Sequence, residues 1–513
     1  MTASVPSLRD VADAFRDSLP PGSDVSVFFL DGLDRTGVPV AQANLLHEGE
    51  PATTGYGYGF EPVEAEVGAL GELCEEVQAG ATVARLPRVV ASYADLVRAR
   101  GKRGVVDPMT LCLSAGSGYH DDLPMPWVEG RRWPSDEAVL VPREWVAAYP
   151  YQLREKPVLI TPITNGLGAG FDHAHAIAHG IMELTQRDGN VVSFRALDQG
   201  VVVELDEGVR DPAVRGLLDR LRGLGINVTV KVSDTAFGIP DLYVVGDDAG
   251  EPVSPIQVTA CGEASHPDRE RGLRKALLEF AGSRARKAAT HGPVEALRRV
   301  MPASYVDKQI ATAVLEEEEQ RALEAMVEWV SRDAAWLRER LGATVFSERK
   351  RVRFSDLPTV PPSAVATGED RLRLLADRLA AEDGLEVIWV DLSPERGGPV
   401  KVARAIVPGL EAETMSYHRI GWRGVRRLRG RGDPLIVDGP REGAKRVLLR
   451  PEDEARCGGP AWFDAALADR IVGDLYPLYR EPGTFSAQLT LAARRGRPVP
   501  GAGTVAAAAR TAA

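Results

Sequence analysis

Glu72 and Glu75 lie three residues apart, and so do Glu183 and Gln186. At this spacing on a helix, two side chains share one face with β-carbons about 5–6 Å apart, so each pair aims oxygen donors in one direction. The surrounding stretches are spelled alike. "GFEPVEAEVGALGELCEE" begins at Gly59 and "GFDHAHAIAHGIMELTQR" at Gly170; each places an acid after Gly-Phe, then Ala at plus six, Glu at plus thirteen, Leu at plus fourteen and Glu or Gln at plus sixteen. A single pair of this kind is ordinarily satisfied by arginines. Two related pairs imply equivalent helices whose acids converge. Converging carboxylates suit magnesium, completed by phosphate oxygens and water. Arg187, directly after the second pair, and Arg284, in "KALLEFAGSRAR", are the cations expected to neutralise phosphate.

Each stretch reads as a loop leading into a helix. Pro62 fits the first turn of one, and Asp172 the cap of the other. Val67, Leu70 and Leu73, and likewise Ile177, Ile181, Met182 and Leu184, are expected to bury the helices and leave the acids at the edge of a core. "NGLGAG" at 165–170 either brings backbone amides to an anion or makes a tight turn before the helix. The chain contains no GxxxxGK[ST] string, so a nucleotide would not be held by a P-loop. His175 and His179, one turn apart, are either further ligands or a packed or solvent-facing pair.

The elements that must position these residues follow an α/β pattern. A helix is expected near 7–18 and a strand at "VSVFFLDG"; "VVSFRAL", "GVVVELD", "INVTVKVS" and "DLYVVGD" between 191 and 250 read as strands around the amphipathic helix "PAVRGLLDRLRGLG". A helical section covers about 267–343, and helix, strand, strand follow in "RLRLLADRLAAEDG", "EVIWVDLS" and "VKVARAIVPGLE". The expected organisation is an N-terminal helix in 1–24, one large domain at 25–495 with halves at about 25–150 and 151–300 and a closing α/β segment at about 368–495, and a flexible tail at 496–513.

A net charge of -11 argues against nucleic acid or an anionic membrane as partner. The basic run "RGVRRLRGRG" from Arg423 is the exception, either solvated or in contact with a phosphate or an acidic peptide. Cys74, Cys112, Cys261 and Cys457 lack CxxC spacing, and the N-terminus lacks the features of a signal peptide; a cytoplasmic location is expected.

"TNGLGAGFDHAHAIAHGIMELTQRD", "ACGEASHPDRERGLRKALLEFAGSR" and "VKVARAIVPGLE", in this order, resemble the signature blocks of the YcaO family over about residues 25–430. The resemblance implies two pseudo-repeated halves, each with a carboxylate-bearing helix, plus a helical insertion. It implies ATP and Mg as cofactors, with Glu72, Glu75 and Glu183 as metal ligands and Tyr58, Gly68, Gln186, Arg187, Glu279, Arg284 and Arg404 at the nucleotide. Glu183, Arg187 and Arg284 are then the catalytic candidates. The implied activity is phosphorylation of a backbone amide oxygen in a ribosomal precursor peptide, leading to an azoline, a thioamide or an amidine. The implied partners are that peptide and a separate leader-binding or TfuA-like protein; a homodimer is left open.

Several positions depart from the family pattern. Tyr58 stands where a lysine is usual, Gly68 replaces a serine, Glu76 an arginine, Phe171 an asparagine, His175 a glutamate and Gln186 a glutamate. Near a polyphosphate these changes remove cations and magnesium-binding charge. The alternative is therefore a catalytically degenerate YcaO-like subunit that binds a precursor peptide or an active partner.

Overall fold

The structure is a computed structural model and describes residues 6–47, 49–153, 159–248 and 252–496. The tail expected from 496 lies almost wholly outside the described residues.

The chain folds as mixed α/β. Helix Leu8–Ser18 starts from a Ser7–Asp10 capping box and packs on helix Pro62–Arg85. Strands Asp24–Phe29, Val40–His47 and Glu50–Tyr58 form an antiparallel meander against that same helix. A five-stranded sheet runs in the order Cys261–Ser265, Asp241–Asp248, Ile226–Asp234, Val201–Glu204, Lys350–Arg353. A six-stranded sheet joins Met125–Arg132, Ile388–Asp391, Lys401–Ile406 and Leu167–Gly170 in its middle and edge, so segments far apart in sequence share one layer.

Both carboxylate helices are present. Pro62 opens Pro62–Arg85, and Asp172 caps His173–Asn190 by accepting from the His175 amide. Their apolar faces seed separate cores: Leu70 and Leu73 pack with Trp127 and Val141, while Ile177 and Ile181 pack with Leu372 and Leu375. Burying each such side chain stabilises the fold by about 1.5–3 kcal/mol. A third helix, Arg269–His291, buries Leu277 and Phe280 against the five-stranded sheet. It opens the expected helical section, which continues through Ala303–Ala311, Gln320–Val330 and Ala334–Gly342.

Two expectations need correction. The apolar run 191–197 is a turn and a short 3-10 helix, Arg195–Leu197, with Arg195 at a φ of 59°. Among the described residues no partner strand adjoins it, and Val191, Val192 and Phe194 are buried in hydrophobic cores. The basic run forms helix Trp422–Gly430 and is neither a solvated loop nor a phosphate contact at its centre. Fully buried Arg423 pairs with Asp188 at 3.0 Å and with Asp383, and Arg427 pairs with Asp188 and Asp234. These pairs hold the last turn of the second carboxylate helix. Among the described residues, no helix is long and apolar enough to cross a membrane.

Candidate functional site

Three strand–helix units build the site, each by the same device. Gly57 lies so close to helix Pro62–Arg85 that a Cβ would collide with the Ala65 carbonyl; Gly168 meets the Ala176 carbonyl of His173–Asn190 in the same way, and Gly262 the Ala276 carbonyl of Arg269–His291. Alternation along a strand then sends the neighbours of each glycine to the opposite face. Tyr56 and Tyr58 therefore face helix Arg269–His291, where the Tyr58 hydroxyl donates to Glu279 at 2.9 Å and the Arg286 guanidinium lies 5.8 Å from the Tyr56 ring centre. In "NGLGAG" Gly166 makes a tight turn at a φ of 91° and its amide meets the Glu183 carboxylate, as the sequence readings offered, while Gly168 serves close packing.

The carboxylates are oriented by backbone amides. Glu72 accepts from the Tyr56 amide at 2.9 Å, and Glu183 from the Gly166 amide at 2.9 Å. Glu75 reaches across to the other unit and accepts from the Ala169 amide at 2.8 Å, so one helix's acid is placed by the other helix's strand. Glu263, on strand Cys261–Ser265, gathers Gln186 (2.9 Å), Arg187 (3.2 Å), Asn190 (2.7 Å) and Arg195 (3.3 Å). Arg187 also contacts Glu183 at 3.5 Å.

The acids line a recess that admits solvent yet is walled by protein: Glu72 is exposed while its surroundings disfavour charge. Burial, with Glu76 and Glu279 nearby, pushes the Glu72 carboxyl up to about 7. Burial and the charges of Glu183 and Glu72 push Glu75 up to about 8. Burial also raises Glu279, whereas Glu263 is held below its ordinary value because Arg195 and Arg187 outweigh its burial. Burial alone would depress Arg187, but Glu263 and Glu183 hold it above the usual arginine range.

Tyr58, Glu72, Glu75, Glu183, Gln186, Arg187 and Glu279 thus come together. Arg284 stands elsewhere, whereas Gly68 and Arg404 adjoin the acids without adding an exposed side chain. Gly68 packs against the Gly57 backbone. Arg284 is fully buried in a bidentate pair with Asp34 (2.9 and 3.0 Å) and a contact to Asp248 (3.1 Å). Arg404 is buried beside Glu183, and burial holds it down to about 10. Of the alternative ligands, His175 meets Arg371 at 3.0 Å, and burial and Lys275 keep His179 neutral down to about 3.

Sequence reasoning missed Glu263, Lys275 and Arg286. Lys275 and Arg286 are exposed to the recess, and each has charged site residues as neighbours: Glu75 and Glu279 for the lysine, Glu72 and Glu279 for the arginine. Helical spacing could have found them, since residues four before and seven after Glu279 share its face, while Arg284, five after, is turned away by about 140°.

Hard oxygen donors beside cations fit a divalent cation bridged to phosphates. Among the described residues no three Asp, Glu, His or Cys side chains form a ready metal cluster. Protein would therefore supply part of the coordination shell, with phosphate oxygens and water completing it.

The comparisons with known proteins agree with a mixed α/β fold whose glutamates converge from separate helices. Residues 56–411 match the family described as YcaO cyclodehydratase, ATP- and Mg2+-binding, and the chain belongs to this family of ATP- and Mg2+-dependent enzymes. An uncharacterized protein of Methanothermobacter thermautotrophicus is 28% identical over 414 residues, covering 80% of this chain and 95% of its own. An uncharacterized protein in the tfuA 3′ region of Rhizobium leguminosarum bv. trifolii is 27% identical over 319 residues, covering 60% of this chain and 66% of its own. The fold is shared with YcaO from Methanopyrus kandleri bound with AMPPCP and Mg2+ (TM-score 0.54, 20% identity, 81% of this chain and 93% of that one). It is also shared with a heterocyclase in complex with substrate and cofactor (TM-score 0.60, 15% identity), of which this chain, 84% covered, spans 56%.

Proposed function

We propose that this protein uses ATP and Mg2+ to phosphorylate a backbone amide oxygen of a ribosomally made precursor peptide. The observation that carries the reading is the convergence of Glu72, Glu75, Glu183 and Glu279 beside Lys275 and Arg286, neither of which has a hydrogen bond or ion pair assigned among the described residues. Glu72, Glu75 and Glu183 would hold Mg2+, which when bound neutralises phosphate charge. Lys275, Arg286 and Arg187 would hold phosphate oxygens, and the two strand–helix units carrying the acids would be the family's repeated parts.

In this chemistry the amide oxygen attacks the terminal phosphorus and ADP leaves. A nucleophile then attacks the activated amide carbon, phosphate leaves, and the nucleophile and amide nitrogen give up their protons as the product requires. The chain's own contribution is positioning and fixed charge, which suits a weak nucleophile such as an amide oxygen. The test is release of ADP and phosphate that depends on peptide. It should be abolished by the Glu72→Ala/Glu183→Ala double substitution; full turnover by that variant would refute the site.

The degenerate-subunit reading is motivated by Tyr58, Glu76 and Gln186. Lys275 and Arg286 restore positive charge to the recess, which favours a working nucleotide site. Titration calorimetry with ATP and Mg2+ decides: absence of binding at millimolar nucleotide would favour the degenerate subunit.

The rhizobial relative's place in the tfuA 3′ region supports a TfuA-like partner for this chain. Mass spectrometry of a co-expressed precursor identifies the product: loss of one water marks an azoline or amidine, and exchange of oxygen for sulfur a thioamide.

A further inference from the structure

Two hollows adjoin along the C-terminal half of helix His173–Asn190. One is walled by Leu111, Trp145, Ile163, Leu184 and Leu410, with Arg404 among them. The other is lined by Arg187, Asn190, Phe194, Glu413 and Tyr479. Ala412 lines both, so they form one groove that passes Arg187 and the turn of helix carrying Glu183.

Some of its buried polar atoms have no partner among the described residues. Arg404, only 4% exposed, donates through Nη2 to the Ile163 carbonyl at 2.8 Å, while its Nε and Nη1 have no partner among the described residues. Farther along, Arg187 Nε and Asn190 Oδ1 are likewise buried without partners. Glu411 and Arg419 line the same hollow but are engaged, the first accepting from the Gly421 and Gly424 amides and the second donating to the Cys112 and Leu111 carbonyls. Leaving a buried guanidinium partly unpaired is unfavourable, so the groove suits a ligand that accepts.

Donors at Arg404 and Arg187 and an acceptor at Asn190, set between apolar walls, match the carbonyls and N–H of an extended backbone. We propose that this groove binds a peptide strand, seating an apolar side chain between Trp145 and Leu410 with a neighbouring carbonyl on Arg404, and so leads the substrate amide past Glu183. A phosphate is a poorer occupant, because Leu, Ile and Trp walls do not solvate a polyanion. This inference rests on the peptide-substrate reading and deepens it.

The test uses N-acetyl-leucine N′-methylamide, a one-residue strand surrogate, titrated into the full chain and followed by ligand-observed NMR. The expected result is saturable binding to the wild type, weakened about tenfold or more by Arg404→Met as one charge-assisted hydrogen bond is lost. Leu410→Phe, which fills the groove without touching a charge, should block the surrogate and leave ATP–Mg2+ affinity within about twofold of wild type. It keeps the test decisive if Arg404→Met fails to fold. Absence of saturable binding, equal binding by wild type and Leu410→Phe, or loss of ATP affinity in Arg404→Met with surrogate binding intact would overturn the proposal. Surrogate binding that follows this pattern without peptide-dependent phosphate release would uphold the groove and count against amide activation.

Discussion

The Tyr58 hydroxyl donates to Glu279 across 2.9 Å, joining the strand of the first unit to the helix of the third. A neutral phenol thus occupies position 58, to which the sequence resemblance assigns a lysine, and burial and the Glu279 charge keep it neutral. Tyr58→Phe should lower unfolding free energy by about 1.5 kcal/mol, the scale of one hydrogen bond to a charged group. Tyr58→Lys should pair with Glu279 and raise ATP–Mg2+ affinity by about tenfold. Calorimetry on both folded variants checks this, and unchanged affinity in Tyr58→Lys would show that position 58 does not serve the phosphates.

Glu72 and Glu75 give the recess a pH dependence. Their carboxyls lie at about 7 and about 8 against an ordinary 4.5. Between 4.5 and these values the folded protein holds protons that the unfolded chain releases, so stability without metal falls as pH rises through the window and levels off above it. A cation must displace those protons, so Mg2+-dependent nucleotide affinity should rise through the same range. Glu72→Gln/Glu75→Gln should flatten the profile; a wild-type affinity independent of pH from about 6 to 9 would contradict this account.

Arg284 and Arg286 should separate stability from binding. Removing Arg284 leaves Asp34 and Asp248 buried without it, and Arg284→Ala should cost about 3–5 kcal/mol in denaturant unfolding. Arg286→Gln, at an exposed position, should unfold like wild type yet bind ATP about tenfold more weakly. The reverse assignment of these two effects would return Arg284 to the nucleotide.

Glu263 should act as a positioning residue. Its carboxylate holds Gln186, Arg187, Asn190 and Arg195 together, and Glu263→Ala should destabilise the protein by about 3 kcal/mol. Because Arg195 and Arg187 hold its carboxyl below 4.5, its contribution is present above that pH and lost as pH falls below it. Urea unfolding of wild type and variant at pH values on either side of that point checks the sign.

The helices were legible because a 3.6-residue period and a repeated spelling both mark them. Glu72, Glu75, Glu183 and Arg187 follow directly from that periodicity. Arg284 is marked by its place in a block that resembles the family's, whereas Arg286 lies on the face of Glu279, and only the direction of that face separates them. Glu263 was hidden for a related reason: in the strand Cys261–Ser265, sequence alternation defines two faces but does not say which one looks into the recess. The run 191–197 misled because β-branched and aromatic residues were needed there for burial, not for a ladder.

The flush seating of Gly57 on its helix divides the strand's labour by parity. Odd positions set the distance between strand and helix, and even positions, Tyr56 and Tyr58, face helix Arg269–His291 without bearing on that distance. Chemistry at the even positions can therefore drift, even from a cation to a phenol, while the frame that aims the glutamates stays intact. A chain built this way can change what its recess binds without first having to relearn how to fold.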